Sequence, residues 1–331
     1  MTAVEKKDVI IVGAGPTGLA AAIYGGRFRY QTLVLEKLAP GGQINLTDRV
    51  ENYPGIIRVS GPDLVDIMRQ QALTFGAEIK SNAEVCNIER QEDGLLRVVT
   101  DEVTYLARVV ILAPGSEYRR LGVPGEEKFR QAGAGVSYCG TCDAPFFRDK
   151  VVVAVGGGNV AIEDTIHLSR YCRKVILAHR RKEFRGDKIL VEELLHEATK
   201  GIIEIRYDTL LTAIEGADRV ESVYFKNILT GQSYQEKCDG VFVFVGMVPN
   251  TGFLKGVIDL DESGFIRCDT TYLRTSMPGV FVAGDCREGA AMQLATAVGD
   301  GVAATIYMKE YLRDPKWWFH ARRQDIVERT W

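Results

Sequence analysis

The chain has 331 residues, of which 46% are hydrophobic and 26% charged, enough for about two ordinary domains; this excludes a disulfide-stapled mini-protein, a fibrous repeat and a disordered segment. Forty-one basic residues against 44 acidic ones leave a net charge of -3, so no global basic field exists to hold nucleic acid or an anionic membrane. No apolar run reaches the roughly 18 residues of a membrane span, and the first eight residues are polar and charged rather than a secretory leader, so a cytoplasmic protein is expected.

The first predicted strand is the apolar run at residues 9–12. It ends in Gly13-Ala14-Gly15-Pro16-Thr17-Gly18, continues as an alanine-rich helix to about Ala22, and is followed by a strand at 32–35 that ends on Glu36. This is a βαβ unit. The spacing Gly-x-Gly-x-x-Gly, with an acid 18 positions after the last glycine, is the dinucleotide-binding pattern. Gly13 makes the turn, Gly15 lets the backbone approach a pyrophosphate, and Gly18 lets helix lie on strand; the helix N-terminus supplies partial positive charge. Glu36 accepts from a ribose diol and repels a 2′-phosphate, which favours FAD or NAD over NADP.

Strand-forming segments follow at 83–88, 95–99 and 109–112, then a turn-rich stretch at 114–125. Next comes Cys139-Gly140-Thr141-Cys142-Asp143. Of the seven cysteines, Cys86, Cys172, Cys238, Cys268 and Cys286 are scattered singly and read as small core residues. The C-x-x-C pair is a redox or metal signature. A four-cysteine zinc site needs a second pair, which the sequence lacks; a readily exchanged disulfide remains, with Asp143 as its proton donor or acceptor. Burial would raise the pKa of that carboxyl. A helix N-cap is the plainer role for Asp143 and is compatible with the first.

A second βαβ unit copies the first in outline. Residues 151–155 lead into Gly156-Gly157-Gly158-Asn159-Val160-Ala161, a helix to about Tyr171 and a strand at 175–178 that ends on His179-Arg180-Arg181, with Arg185 beyond. No carboxylate stands at the ribose position, and guanidinium forks match the 2′-phosphate of NADPH; a solvated basic turn is the alternative. Further strands are expected at 220–225, 241–245, 265–268 and 280–283, with a second turn-rich stretch at 246–252. Because the two turn-rich stretches flank the second unit, the expected fold is α/β, with two doubly wound, Rossmann-like three-layer domains, the second inserted into the first. The divisions are 1–116 with 248–312, then 117–247, and an aromatic tail at 313–331.

Taken in order, GAGPTG, GGQ (41–43), ENYPG (51–55), CGTCD, GGGNVA, HRRKEFR, GMVPNT and GDCREGAAMQLATAVGDG make the chain resemble the low-molecular-weight thioredoxin reductases of the pyridine nucleotide-disulfide oxidoreductase group. The resemblance runs from about Asp8 to Leu312. It implies a homodimeric flavoprotein that passes electrons from NADPH through FAD to a disulfide of Cys139 and Cys142 and on to thioredoxin, with an inserted domain that swings between two poses. It also implies that Gly13, Gly15, Gly18 and Glu36 bind the adenosine half of FAD, and that Gln43, Asn52 and the backbone near Val85 and Ala113 line the rest. Gly284 and Asp285 would hold the ribityl chain and pyrophosphate, and Gln293 and Leu294 would lie against the isoalloxazine carbonyls. Cys142 would face the flavin, Cys139 would attack the partner's disulfide, and Asp143 would be the acid. Gly158, His179, Arg180, Arg181 and Arg185 would hold NADPH.

Two features depart from the family pattern. Met292 stands where the family has arginine, which removes a cation near the flavin or the docked partner. The chain also continues past a helix expected to end near Leu312, and its three tryptophans, Trp317, Trp318 and Trp331, all fall in the last fifteen residues. One reading packs this tail on its own domain or across the dimer as apolar burial. Another stacks a tail aromatic on the isoalloxazine, and with it comes an alternative activity in which ferredoxin or a second flavin replaces NADPH as electron partner. A non-redox nucleotide-binding or zinc-binding module is the remote alternative.

Overall fold

A computed structural model of the chain describes residues 4–47, 49–131 and 133–320. The chain begins with β1 (Val4–Val12), α1 (Pro16–Arg27), β2 (Thr32–Leu35), α2 (Gly61–Thr74), β3 (Glu78–Lys80), β4 (Val85–Arg90), β5 (Leu96–Thr100) and β6 (Thr104–Leu112). After β7 (Ser116–Tyr118) come α3 (Glu126–Gln131), β8 (Val136–Ser137), α4 (Gly140–Asp143), β9 (Val151–Gly156), α5 (Asn159–Ser169), β10 (Lys174–Ala178), α6 (Lys188–Ala198) and β11 (Ile203–Arg206). The strands β12 (Thr209–Glu215), β13 (Ser222–Asn227), β14 (Ser233–Lys237), β15 (Gly240–Phe244), β16 (Met247–Pro249) and β17 (Val280–Val282) follow, then α7 (Leu294–Arg313) and α8 (Trp317–His320). Among the described residues no helix is long and apolar enough to cross a membrane.

The first compact unit combines the chain up to Glu117 with the chain from Val248 onward. Its sheet runs β3-β2-β1-β6-β5-β4, with β17 also on β6. β6 is shared along its length: Val99 of β5 pairs antiparallel with Thr104, whereas Val280 of β17 pairs parallel with Val110. Alternate residues of β1 serve opposite faces, as strand geometry demands. Val9 and Ile11 pack with residues of α1, α2 and α7, while Ile10 and Val12 pack with Val85, Leu96, Leu254 and Ile266. Helix α1 runs five residues past the predicted end, straight through Gly25 and Gly26. A Cβ there would lie 2.6 Å from Thr32 Oγ1 and 2.6 Å from the Phe75 carbonyl oxygen respectively, so the glycine pair marks close packing rather than a stop. Residues 265–268 do not form the predicted strand. Ile266 makes only isolated bridges to Leu260 and Arg287, and its full burial accounts for the apolar pattern.

The second unit, Tyr118–Met247, has a parallel sheet in the order β11-β10-β9-β15-β8 and a separate antiparallel sheet β12-β13-β14. Val152 and Ala154 of β9 face a cluster with Ile162, Ile166 and Leu194 from α5 and α6, whereas Val153 faces Leu211, Val223 and Phe225 of the antiparallel sheet. In each unit the strand order reverses beside the leading strand, at β1 and at β9. The carboxyl ends of such a pair of strands open into the crevice where open α/β sheets bind ligands.

Candidate active site

At the end of β1 the backbone turns at Gly13, whose φ of +102° and whose 2.3 Å separation from the Ala113 carbonyl oxygen for an added Cβ both exclude a side chain. The contact brings the end of β6 onto the turn, so Gly13 and Ala113 share one wall. Gly18 is closer still, since its Cβ would fall 1.9 Å from the Gly13 carbonyl oxygen. Gly15 is the N-cap of α1, with no side-chain cap and no acid in the first turn; an added Cβ there would meet nothing within 4 Å. Open space in front of unpaired helix amides is what a phosphate requires.

Glu36 closes the site from β2. Its carboxylate accepts the Ala14 N–H at 2.7 Å and the Leu38 N–H at 3.0 Å, so it shapes the turn as well as facing it. The Gln43 side chain donates to the Ser116 carbonyl, and Gly42 comes within 3.6 Å of Gly15 Cα when given a Cβ. Gly284 meets the same helix, its added Cβ lying 2.4 Å from Thr17 Oγ1. Gly13, Gly15, Gly18, Glu36, Gln43, Ala113 and Gly284 therefore come together. Val85 is buried at the start of β4, two residues after Ala83, whose N–H donates to the Glu36 carbonyl. Asn52 sits exposed on the loop of residues 51–57, which lines an open groove.

Asp285 is the clearest mark of a ligand-binding corner. Its Oδ1 is buried and, among the described residues, has no hydrogen-bond partner. Burial, with Asp300 reinforcing it, pushes the carboxyl up to about 6. Buried polar groups left unpaired are costly, and a polyhydroxyl chain supplies the donors this oxygen lacks. Sequence reasoning passed over two residues that build this corner. Thr17 packs against both Gly284 and Gly301, and Asp300 accepts the Gly284 N–H at 3.0 Å while pairing with Arg287. Gln293 is the N-cap of α7 without a side-chain cap, and the first turn that Leu294 opens carries no acid. These residues fit FAD. Met292, just before, has a φ of +53°, a left-handed conformation rare outside glycine.

In the second unit Cys139 and Cys142 are joined as a disulfide at the start of α4. The Cys142 N–H points at Cys139 Sγ, 3.1 Å away. Ser137, which carried no motif, organises the pair: its hydroxyl accepts the Cys139 N–H at 3.1 Å and donates to Asp143 Oδ2 at 2.6 Å. Asp164, also unmarked in the sequence, holds the loop from α5 by accepting the Gly140 N–H at 3.2 Å.

The second glycine-rich turn repeats the open helix start. Gly158 is the N-cap of α5, uncapped by a side chain, with no acid in the first turn and nothing within 4 Å of an added Cβ. Arg180, Arg181 and Arg185 are exposed and make no ion pair among the described residues; that fits the 2′-phosphate of NADPH. His179 requires a correction. It is only 5% exposed, its ring lies under Gly157, and its two nitrogens face the carbonyls of Gly156 at 2.8 Å and Glu183 at 2.9 Å. Both ring nitrogens are engaged by backbone, so His179 braces the arginine loop against the turn instead of reaching a phosphate.

Trp317 and Trp318 also depart from a place over the flavin. Trp318 is buried against Phe281 and Tyr311, with ring centroids 5.0 and 5.3 Å away, and its carbonyl accepts from Arg274. Trp317 packs edge-on to Tyr272 at 5.3 Å. Both sit past the C-terminal end of α7, a helix of 20 residues and thus about 30 Å long, whose opposite end carries Gln293 and Leu294. They are ordinary apolar burial within the first unit. Trp331 lies outside the described residues.

A model of the family described as pyridine nucleotide-disulphide oxidoreductase matches residues 7–301. The thioredoxin reductase of Treponema pallidum is 43% identical over 306 residues, covering 92% of this chain and 97% of that protein. The thioredoxin reductase of Mycolicibacterium smegmatis is 41% identical over 308 residues, covering 93% and 97%. Among solved structures, the thioredoxin reductase from Streptococcus pyogenes matches with a TM-score of 0.86 at 39% identity, covering 94% of this chain and 99% of that one.

Proposed function

The chain belongs to the pyridine nucleotide-disulphide oxidoreductase family, and from that premise we propose that it is a thioredoxin-disulfide reductase that uses FAD and NADPH. The observation that carries this reading is the disulfide of Cys139 and Cys142, built into the same unit as three unpaired arginines beside an open helix start. Bound FAD supplies the two-electron step between a nicotinamide and a disulfide.

The residues of the chain divide the remaining work. Gly13, Gly15 and Glu36 hold the adenosine end of FAD, Asp285 and the start of α7 the rest; Gly158, Arg180, Arg181 and Arg185 hold NADPH. Reduction breaks the bond between the two sulfurs with two electrons and two protons. Asp143, fixed by Ser137, is placed next to Cys142 to move one of those protons. Cys139 then attacks the disulfide of thioredoxin as a thiolate, and Cys142 resolves the mixed disulfide, which restores the Cys139 and Cys142 bond and leaves two thiols on the partner. We place this activity in a cytoplasmic homodimer; a monomer mass in sedimentation would remove the dimer.

Anaerobic titration of the full-length flavoprotein with NADPH bleaches the flavin band, and NADPH drives the reduction of thioredoxin. Cys139→Ser and Cys142→Ser each lower that turnover by about a thousandfold or more. Thioredoxin reduction that survives both substitutions together would overturn the reading.

A further inference from the structure

Asp164 lies in the middle of α5 and reaches out of that helix to the redox loop. Its Oδ2 accepts the Gly140 N–H at 3.2 Å and its Oδ1 accepts the Thr141 hydroxyl at 3.5 Å, so one carboxylate grips both residues that separate the two cysteines. A Cβ built on Gly140 would fall 2.7 Å from the Asp164 carboxyl carbon; the glycine is what admits the carboxylate. The loop does not need an acid for its own hydrogen bonding at Cys139 or Asp143, because Ser137 already serves both.

A charge at this place acts unequally on the two redox states. The disulfide is neutral, while the dithiol formed from it by two electrons and two protons releases a proton toward neutral pH to give a thiolate. A carboxylate touching the loop repels that thiolate, and by occupying the Gly140 N–H it withdraws a donor that would otherwise stabilise it. Both effects raise the free energy of the reduced pair and leave the disulfide almost unaffected. This is the reverse of pairs that are strong oxidants because their reduced form is stabilised.

We propose that Asp164 is a positioning residue that holds the loop of Cys139 and Cys142 and sets its potential, keeping the dithiol a strong reductant of the partner's disulfide. The proposal rests on the reductase reading given above. Burial raises the Asp164 carboxyl overall, with Glu163 of its own helix adding to it, and the Gly140 donor, the neighbouring His167 and the Thr141 hydroxyl offset that rise only in part. A carboxyl that kept its proton would give no effect in the following test.

Full-length flavoprotein is equilibrated anaerobically with glutathione redox buffers, and the dithiol fraction at positions 139 and 142 is read by differential alkylation and peptide mass spectrometry. Asp164→Asn keeps an acceptor for Gly140 and loses the charge; it moves the equilibrium constant about tenfold toward the dithiol, or ~30 mV. Asp164→Ser is the neutral counterpart if the asparagine variant does not fold. Asp164→Glu keeps the charge and stays within about threefold of wild type, roughly half that shift on the same scale. Neutral variants that match wild type, or that move toward the disulfide, overturn the proposal. An equal shift in the glutamate variant also overturns it, because the effect would then belong to packing. A wild-type pair that never exchanges with glutathione overturns the reductase reading itself, and so the two failures are distinguishable.

Discussion

At Gly13 the leading strand of the first unit turns into α1, and at Gly156 the leading strand of the second turns into α5. Both helices start at a glycine with no side-chain cap and no acid in the first turn, so both present unpaired amides to an anion. The next strand ends on Glu36 in the first unit and on His179, Arg180 and Arg181 in the second. Glu36 has its two oxygens engaged by backbone amides, whereas the arginines stand exposed. On the proposed reading, the backbone of the turn holds a pyrophosphate, and a side chain one strand further on chooses between a ribose diol and a ribose phosphate. The two choices are separable: the chain makes the first alike in both units and the second differently.

Four variants test that separation, and the largest effect belongs to the first turn. Gly18→Ala drives a Cβ into a backbone oxygen 1.9 Å away; neither side can yield cheaply, and a loss on the order of 3 kcal/mol or more is expected together with loss of flavin. Denaturant midpoints and the ratio of flavin to protein absorbance check it. A stable, fully yellow variant would show that the first turn is not held as tightly as its geometry requires.

Arg180→Gln combined with Arg181→Gln should raise the KM for NADPH by about a hundredfold with kcat within about threefold, since each charge-assisted bond to a phosphate is worth roughly 1.5–3 kcal/mol. The KM for NADH should not move. Equal losses with both nucleotides would mean that the arginines hold the pyrophosphate, and the comparison drawn above would fail.

Asp285 sharpens the contrast from the side of the first unit, where the unpaired group is buried and acidic. Burial holds its pKa in the folded protein at about 6, above the ordinary carboxyl value of 3.8, so between these limits the native state binds more protons than the unfolded chain. That contribution to stability is complete below about pH 4 and is lost as pH rises through about 6, to an extent of about 3 kcal/mol in flavin-free protein. Urea unfolding of apoprotein as wild type and as Asp285→Asn should diverge over this window. Parallel curves would deny Asp285 the burial assigned to it.

The smallest effect is expected at Gly158→Ala, where nothing lies within 4 Å of the new methyl. Stability should change by less than about 0.5 kcal/mol, while the methyl occupies the space in front of the amides and raises the KM for NADPH. A large stability loss would show that the second turn is packed like the first.

Much of this is legible in the sequence. The glycines of both turns, Glu36, the arginines and the cysteine pair were legible because each acts through its nearest neighbours in the chain, on a strand, turn and helix whose local geometry leaves little choice. The first helix runs past its expected end near Ala22, through Gly25 and Gly26, because the partners that require those glycines, Thr32 and Phe75, lie outside the local pattern. Residues 265–268 were misread as a strand because an apolar run is the same whether it is paired or simply buried.

The sequence by itself supplied the groups available to this chain: two glycine-rich helix starts with opposite charge beside them and a pair of sulfurs three positions apart, all properties of consecutive residues. Tertiary structure alone decided which distant side chain meets which. It turned His179 inward beneath Gly157, brought Asp164 and Ser137 to the cysteines, left one buried carboxylate oxygen of Asp285 unpaired among the described residues, and laid Trp318 on Phe281 instead of near α7's first turn. The reason is physical: strand, turn and helix geometry acts over a few residues, whereas burial and close packing join groups tens to hundreds of positions apart, and no local pattern records which of them will meet.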